Sequence, residues 1–418
     1  HLAANANPDT RALAVIELAR HRPAAARPLL AQALADAHRT VRLYGAAAAE
    51  ACADAADLPL LKQALAGQPD AETRFYLEDA VARCEGRPPT VREPVHSVVA
   101  DRCMTFSCVL RESSPWNGYY LLGLPSDRDL MRRKHAEGAV MLPRANKTAG
   151  VPKQVLLDPL EADRFWLGID EEFDGLWDCI DGLVLGEESM SFSSLWDLGW
   201  RLFCRDLGID PARVAGDQKR LDEREKRGWA DWSMRMNIEG FNHMVDYIKL
   251  RYGKRRPGIQ IATFTTGESG PNDYEHLWKF DISAHYAYGA PSRVRYLCIR
   301  RLRTTWPDRP MLWLNQGAVA VPIALNNAGV SYEMPVPSRP VHALASVSGA
   351  DTLATWMAGG HNGLWSVYAF SPPGSGRGRG VSFIDVDAFF PDDEAFARAI
   401  DLCFSGVKEA RIEKELLG

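Results

Sequence analysis

Nowhere in the 418 residues is there an uninterrupted apolar stretch near the ~18 residues that a membrane-spanning helix requires, although hydrophobic residues make up 46% of the chain. No membrane span is expected. Basic charge is not in excess either. Asp and Glu number 54 against 49 Lys and Arg, for a formal net charge of -5, and the cations are spread rather than massed, which argues against a nucleic-acid partner. Motifs for metals and phosphates are missing as well: there is no H-x-H and no H-E-x-x-H, so neither metal nor cofactor is expected. The Gly-rich tract Pro373 to Gly380 is not followed by a Lys-Ser or Lys-Thr helix opening, and reads as a solvated loop rather than a phosphate cradle. The eight cysteines (Cys52, Cys84, Cys103, Cys108, Cys179, Cys204, Cys298 and Cys403) form no C-x-x-C pair and have no histidine at zinc-finger spacing. Buried thiols are the simplest reading, and a Cys103 to Cys108 disulfide stays open. The chain starts at His1 without a methionine or a leader, which favours a processed, secreted or periplasmic and cell-envelope protein.

What is present divides into two textures. Residues 10–85 are rich in Ala, Leu and Arg, with apolar positions at helical spacing, as in Leu13, Ile16, Leu18 and Ala19. The segment ALADAHRTVRLYGAAAAEA from Ala33 is echoed by ALAGQPDAETRFYLEDAVA from Ala64, which makes Arg42 and Arg74 equivalent. This periodicity and its Asp-x-x-x-Arg-like turn resemble HEAT repeats. Such repeats bury their faces only against neighbours, and a protein partner or the following domain would cover the exposed end. The expected division is therefore helical repeats over 1–85, a linker over 86–95 in the Pro-rich EGRPPTVREP, and a second domain over 96–418.

From residue 96, short β-branched and aromatic runs alternate with helical stretches, the pattern of a parallel sheet with crossover helices. Eight runs predict strands: MTFSCVL, YYLLGLP, GAVMLPRA, DRFWLGID, IQIATFT, KFDISAHY, MLWLNQG and LWSVYAF. Helices are predicted over Gly240 to Tyr252, Ser292 to Thr305 and Ala350 to Gly359. The fold class is thus α/β, a (β/α)₈ TIM-like barrel irregular in its first half, preceded by a small all-α HEAT-like domain.

In such a barrel, functional groups lie at the carboxyl ends of strands. That rule selects Asp170, Glu171 and Glu172 after the fourth run, Glu268 after the fifth, and His285, Tyr286 and Tyr288 at the sixth. It also selects Asn315 and Gln316 after the seventh, and His361 and the Tyr368 to Ser371 region around the eighth, where Trp365 is a candidate for stacking on sugar. A carboxyl at a strand end walled by aromatics can hold the raised pKa of a general acid. Tryptophans offer flat faces for sugar rings, with Trp177 the preferred platform, whereas Trp166 and Trp313 read as core.

RFWLGIDEEFDG followed by FSSLWDLGWRLFCRDLGID resembles the fourth strand and next helix of clan A glycoside hydrolases of the family 42 beta-galactosidase type. KFDISAHYAY and WMAGGHNGLWSVYAF are similar to the sixth strand and the approach to the eighth of that clan. The resemblance spans about residues 160–370. It implies a glycosidase with Glu172 as acid/base and Glu171 in the place of the usual asparagine. The chain departs from the clan where the nucleophilic glutamate of the seventh strand is replaced by Asn315, which cannot attack an anomeric carbon. Three routes remain. The substrate's own acetamido group attacks, with Asp170 and Glu171 as the acid pair; or Glu268 serves as nucleophile or base; or the barrel binds carbohydrate or protein without turnover. The expectation is a glycoside hydrolase on a poly- or oligosaccharide, with an inactive binding barrel and a metal-dependent hydrolase barrel as rivals.

Overall fold

The structure is a computed structural model that describes residues 2–98, 104–107, 110, 118–121, 124, 127–144, 159–185, 196–266, 277–286, 304–306, 309–315 and 363–366. In chain order its helices are α1 Pro8–His21, α2 Pro23–Ala26, α3 Leu30–Leu34, α4 Arg39–Cys52, α5 Leu58–Gly67, α6 Ala71–Cys84, α7 Arg128–Ala136, α8 Pro159–Glu172, α9 Trp196–Leu207, α10 Pro211–Val214 and α11 Glu223–Gly253. The strands are β1 Met104–Ser107, β2 Gly118–Leu121, β3 Val140–Pro143, β4 Gly182–Val184, β5 Gln260–Thr266, β6 Ile282–Tyr286, β7 Met311–Asn315 and β8 Gly363–Ser366. The protein is a mixed α/β chain. It divides into two compact units, one of His1–Val95, Val151–Asp178 and Ser194–Ile259, the other of His96–Gly150, Cys179–Ser193 and Gln260–Gly418. The boundaries fall after residues 95, 150, 178, 193 and 259, so the first unit also takes in α8 to α11, which the sequence reading assigned to the second.

In the first unit α1 and α6 start where polar caps satisfy leading N–H groups. Asn7 Oδ1 accepts from the amides of Asp9 (2.8 Å) and Thr10 (3.4 Å), and Asp70 accepts from Thr73 N at 3.0 Å. Each of the three long early helices carries an arginine at its fourth position, and each arginine reaches back through Nη1 to carbonyls of the preceding turn. Arg11 bonds Asn5 O (2.8 Å) and Ala6 O (3.0 Å), Arg42 bonds Asp36 O and Ala37 O (both 2.8 Å), and Arg74 lies 3.4 Å from Gln68 O. The repeat therefore has a third copy, around Asn7 to Arg11, that the pairwise echo did not reveal. Small residues let the helices approach: a Cβ on Gly45 would lie 2.8 Å from that of Ala33. The buried sets Ala12, Val15, Ile16 and Ala19 on α1 and Leu77, Ala80 and Val81 on α6 have helical spacing; of the positions named from the sequence, Ile16 and Ala19 are buried whereas Leu13 is exposed.

The 31-residue α11 opens with a reciprocal capping box between Asp222 and Glu225. Its first half packs with α9 and α10 in a core of Trp196, Phe203, Trp229 and Trp232. Its last turn and the residues beyond it carry cations that meet acids of the repeats. Lys254 Nζ pairs with Asp79 (3.0 Å) and Glu50, Arg255 Nε with Glu72 (2.9 Å), and Arg251, only 5% exposed in its side chain, with Asp70 (2.7 Å). Burial by itself would push Asp70 up, but the Arg251 guanidinium more than offsets it, so the carboxyl is held below its usual range. For Glu72 burial wins, and its pKa is pushed up to about 7 despite Arg255.

The second unit carries one parallel eight-stranded sheet in the order β3-β2-β1-β8-β7-β6-β5-β4. At the two ends of that order, a parallel bridge Arg144 to Val184 and a bond from Asp181 N to Met141 O (2.9 Å) join β3 to β4. Gly182 is required where β4 meets β5, since a Cβ there would stand 2.1 Å from Gln260 O.

Seven of the predicted runs overlap a strand of this sheet, and the fourth does not. DRFWLGID lies within α8, and β4 is the later run IDGLVL, where Ile180, Leu183, Val184 and Leu185 are fully buried. The reason is period: Trp166, Ile169 and Phe173 are buried at i, i+3 and i+7 while Leu167 is exposed, which is helical. The helix predicted over Gly240 to Tyr252 is the second half of α11. That over Ala350 to Gly359, most of that over Ser292 to Thr305, and the Pro373 to Gly380 loop lie outside the described residues.

Candidate functional site

The carboxyl ends of parallel strands are where such sheets place ligands, and the backbone register sets which positions meet there. In a parallel ladder, paired positions share a face and successive residues alternate. Thr265 pairs with His285, His285 with Trp313, Asn315 with Ser366, and Ser366 with Ser107. One face of the sheet thus carries Thr265, His285, Asn315, Ser366 and Ser107 across five adjacent strands, all in their last two positions. His285 and Asn315, both candidates from the sequence, are brought onto that face. Tyr286, Thr266 and Trp365 alternate onto the other, so Tyr286 and Trp365 do not share a face with Asn315. Glu268, Tyr288, Gln316, His361 and the Tyr368 to Ser371 region lie outside the described residues.

The expected acids are not at a strand end. Asp170, Glu171 and Glu172 form the last turn of α8. Asp170 accepts from Arg39 Nη1 at 2.7 Å, from Arg251 Nε at 3.0 Å and Nη2 at 2.8 Å, and from the Tyr252 hydroxyl. Four donors on two oxygens make it a structural anchor of the first unit. Glu171 is exposed and Glu172 half-buried. With the strand moved, Glu171 and Glu172 lose the places that the resemblance gave them.

Trp177 is likewise corrected. It is 4% exposed and stacks on Tyr252 with ring centroids 3.6 Å apart, so it is core rather than a platform for sugar. Trp166, expected as core, stacks on Tyr247 at 3.8 Å. Cys52, Cys179 and Cys204 are buried free thiols and Cys84 a half-buried one, in line with their reading as packing residues. Burial pushes the Cys52 and Cys204 thiols up. Cys103, Cys108, Cys298 and Cys403 fall where no side chain is described.

Two features escaped the sequence reading. The run following the observed β4 is Leu185-Gly186-Glu187-Glu188, so an adjacent acid pair comes three and four residues after Val184 in the chain. These two residues lie outside the described ones. The short run IDGLVLG, bounded by glycines and followed by acids, was the signal that could have found them. The second is a group of metal-ligating side chains, His96, His135 and Asp181, near the amino ends of the strands. It was invisible to motif reading because 39 and 46 residues separate its members in the chain. No protein-family model, curated protein or solved structure matches this chain.

Proposed function

We propose that the eight parallel strands of the second unit form a closed barrel of the (β/α)₈ kind that hydrolyses glycosides bearing a 2-acetamido group, with Glu187 and Glu188 as its working carboxylates. The observation that carries the reading is the strand order. Neighbours follow in sequence from β1 to β8, β8 pairs with β1, and β3 is bridged to β4. In chain order α7 falls between β2 and β3, α8 between β3 and β4, and α9 to α11 between β4 and β5. Given that frame, the residues that follow β4 in the chain are the candidates, and Glu187 and Glu188 are the acid pair in that run of the sequence.

The acetamido route follows from β7. Its last residue is Asn315, whose amide is no nucleophile. One glutamate of the pair protonates the leaving-group oxygen while the glycosidic bond breaks. The other accepts from the acetamido N–H, so that the acetamido oxygen bonds the anomeric carbon. Water then opens this cyclic intermediate and returns its proton to the first glutamate. Asn315 and His285, sharing a face, supply hydrogen bonds to the sugar.

The test compares aryl glycosides with and without a 2-acetamido group. Turnover of the acetamido series alone is expected, and Glu187→Gln and Glu188→Gln should each lower it by on the order of a hundredfold. A good leaving group rescues the variant that lost the proton donor and not the one that lost the acetamido partner. Turnover of neither series by a folded protein would refute hydrolysis. Sugar binding that survives in that case would leave a noncatalytic carbohydrate-binding barrel.

A further inference from the structure

Three side chains from separate parts of the second unit converge near the amino ends of β3, β4 and β5. His96 lies in the segment before β1, His135 in the last turn of α7, and Asp181 directly before β4. One ring nitrogen of each histidine and one carboxylate oxygen lie within 4.8 Å of one another. Asp181 is fully buried, and backbone amides fix both its oxygens: His96 N on Oδ1 and Met141 N on Oδ2, each at 2.8 Å.

We infer that His96, His135 and Asp181 bind one divalent transition-metal ion of the zinc class. Two imidazoles and one carboxylate are a nitrogen and oxygen set that suits zinc or cobalt, whereas calcium and magnesium take oxygen ligands throughout. Zinc bonds of ~2.0–2.2 Å place tetrahedral ligand atoms about 3.3 Å apart. His135 Nε2 and Asp181 Oδ1 are 3.0 Å apart, so they need to open by only a few tenths of an ångström. The ion replaces the proton shared across that contact. The imidazole rings stack with centroids 4.3 Å apart and planes 17° from parallel. Faces so disposed cannot both hold one ion in their planes, so loading turns the His96 ring out of the stack. His96 is the freer ring to turn, 37% exposed in its side chain against 13% for His135. His96 Nδ1, 3.8 Å from Asp181 Oδ2, lies 3.2 Å from Ala139 O, a contact it gives up on taking the ion. Lying at the amino ends of the strands, the ion would tie α7 and the segment before β1 to β4, a stabilising role rather than a catalytic one.

Chelator-stripped full-length protein is titrated with Co²⁺ and then with Zn²⁺. One equivalent of cobalt with tetrahedral d–d bands, displaced by zinc, is expected, together with a zinc-dependent rise in Tm and loss of the ring-current shifts of the stacked histidines. His96→Ala and His135→Ala should each weaken binding by about tenfold or more. His96→Ala is the decisive variant, since removing Asp181 would also strip two backbone amides of their acceptor. Absence of stoichiometric cobalt binding, a sulfur-to-cobalt charge-transfer band, or unchanged affinity in a folded His96→Ala protein would each overturn the assignment.

Discussion

Substituting Asp170 by Asn distinguishes an anchoring carboxylate from a catalytic one. The side chain takes three hydrogen bonds from Arg39 and Arg251 and one from Tyr252. An amide cannot balance the charge of Arg251, whose side chain is 5% exposed. Removing one partner of a buried ion pair costs ~3–5 kcal/mol, because the other charge is left uncompensated. Two features place this site at the lower end, about 3 kcal/mol: Asp70 still pairs with Arg251, and Asp170 is itself 22% exposed. For a unit of about 190 residues, each kcal/mol moves the melting temperature by ~2–4 °C, so Asp170→Asn should melt about 6–12 °C below the parent. Far-UV circular dichroism melts and urea titrations with an unchanged slope measure this directly. The neighbouring exposed Glu171→Gln serves as control, expected to move stability by under about 0.5 kcal/mol. Glycoside turnover well below the melting temperature should be unaffected by either change. An Asp170→Asn protein that melts with the parent but has lost turnover would refute this reasoning and return the residue to the active site.

Two further substitutions follow. Glu72 holds its proton to about pH 7, above the ordinary 4.5, so between those values the native state is protonated where the unfolded chain is not. Stability from this group is full below the unfolded pKa and falls, by about 3 kcal/mol in all, as pH rises through the window. Glu72→Gln keeps an acceptor for Arg255 and removes the titration, so its advantage over the parent should grow between pH 5 and 8. Urea midpoints check this, and an advantage that shrinks over the same range contradicts it. Gly182→Ala puts a Cβ 2.1 Å from Gln260 O and 2.8 Å from Leu142 Cδ2. The backbone contact cannot be relieved by a rotamer change, so a loss of about 3 kcal/mol or more is expected. A melt equal to the parent's would mean that β4 is not seated against β5.

The strands legible in the sequence were those whose β-branched and aromatic residues stand between turn residues, as in IQIATFT and KFDISAHY. The fourth was misread because Phe165, Trp166, Leu167 and Ile169 look like an apolar run, and a short run cannot separate a strand from one face of a helix. The helix start was nonetheless written in Asp158-Pro159-Leu160-Glu161, an acid, a proline at the first position and a glutamate at the third. The third helical repeat was missed for another reason. Asn7 and Asp70 both cap their helices through a side-chain oxygen but differ in type, so the echo shows in hydrogen bonds before it shows in letters. The meeting of His96, His135 and Asp181 could not be read at all, since it depends on how α7 and β4 pack rather than on spacing.

Moving one strand by some nineteen residues changes the chemistry that can be assigned, because a carboxylate is qualified for proton transfer by where its lone pairs point. The oxygens of Asp170 are already taken by two guanidinium groups and a phenol, and a group so engaged neither gives a proton to a glycosidic oxygen nor accepts one from water. In the sequence after β4, Gly186 ends the apolar stretch, and Glu187 and Glu188 follow at once. An acid pair after β4 and an amide at the end of β7 are complementary. On the proposed reading, the amide leaves β7 without a nucleophile, and the second carboxylate of the pair serves a substrate that supplies its own.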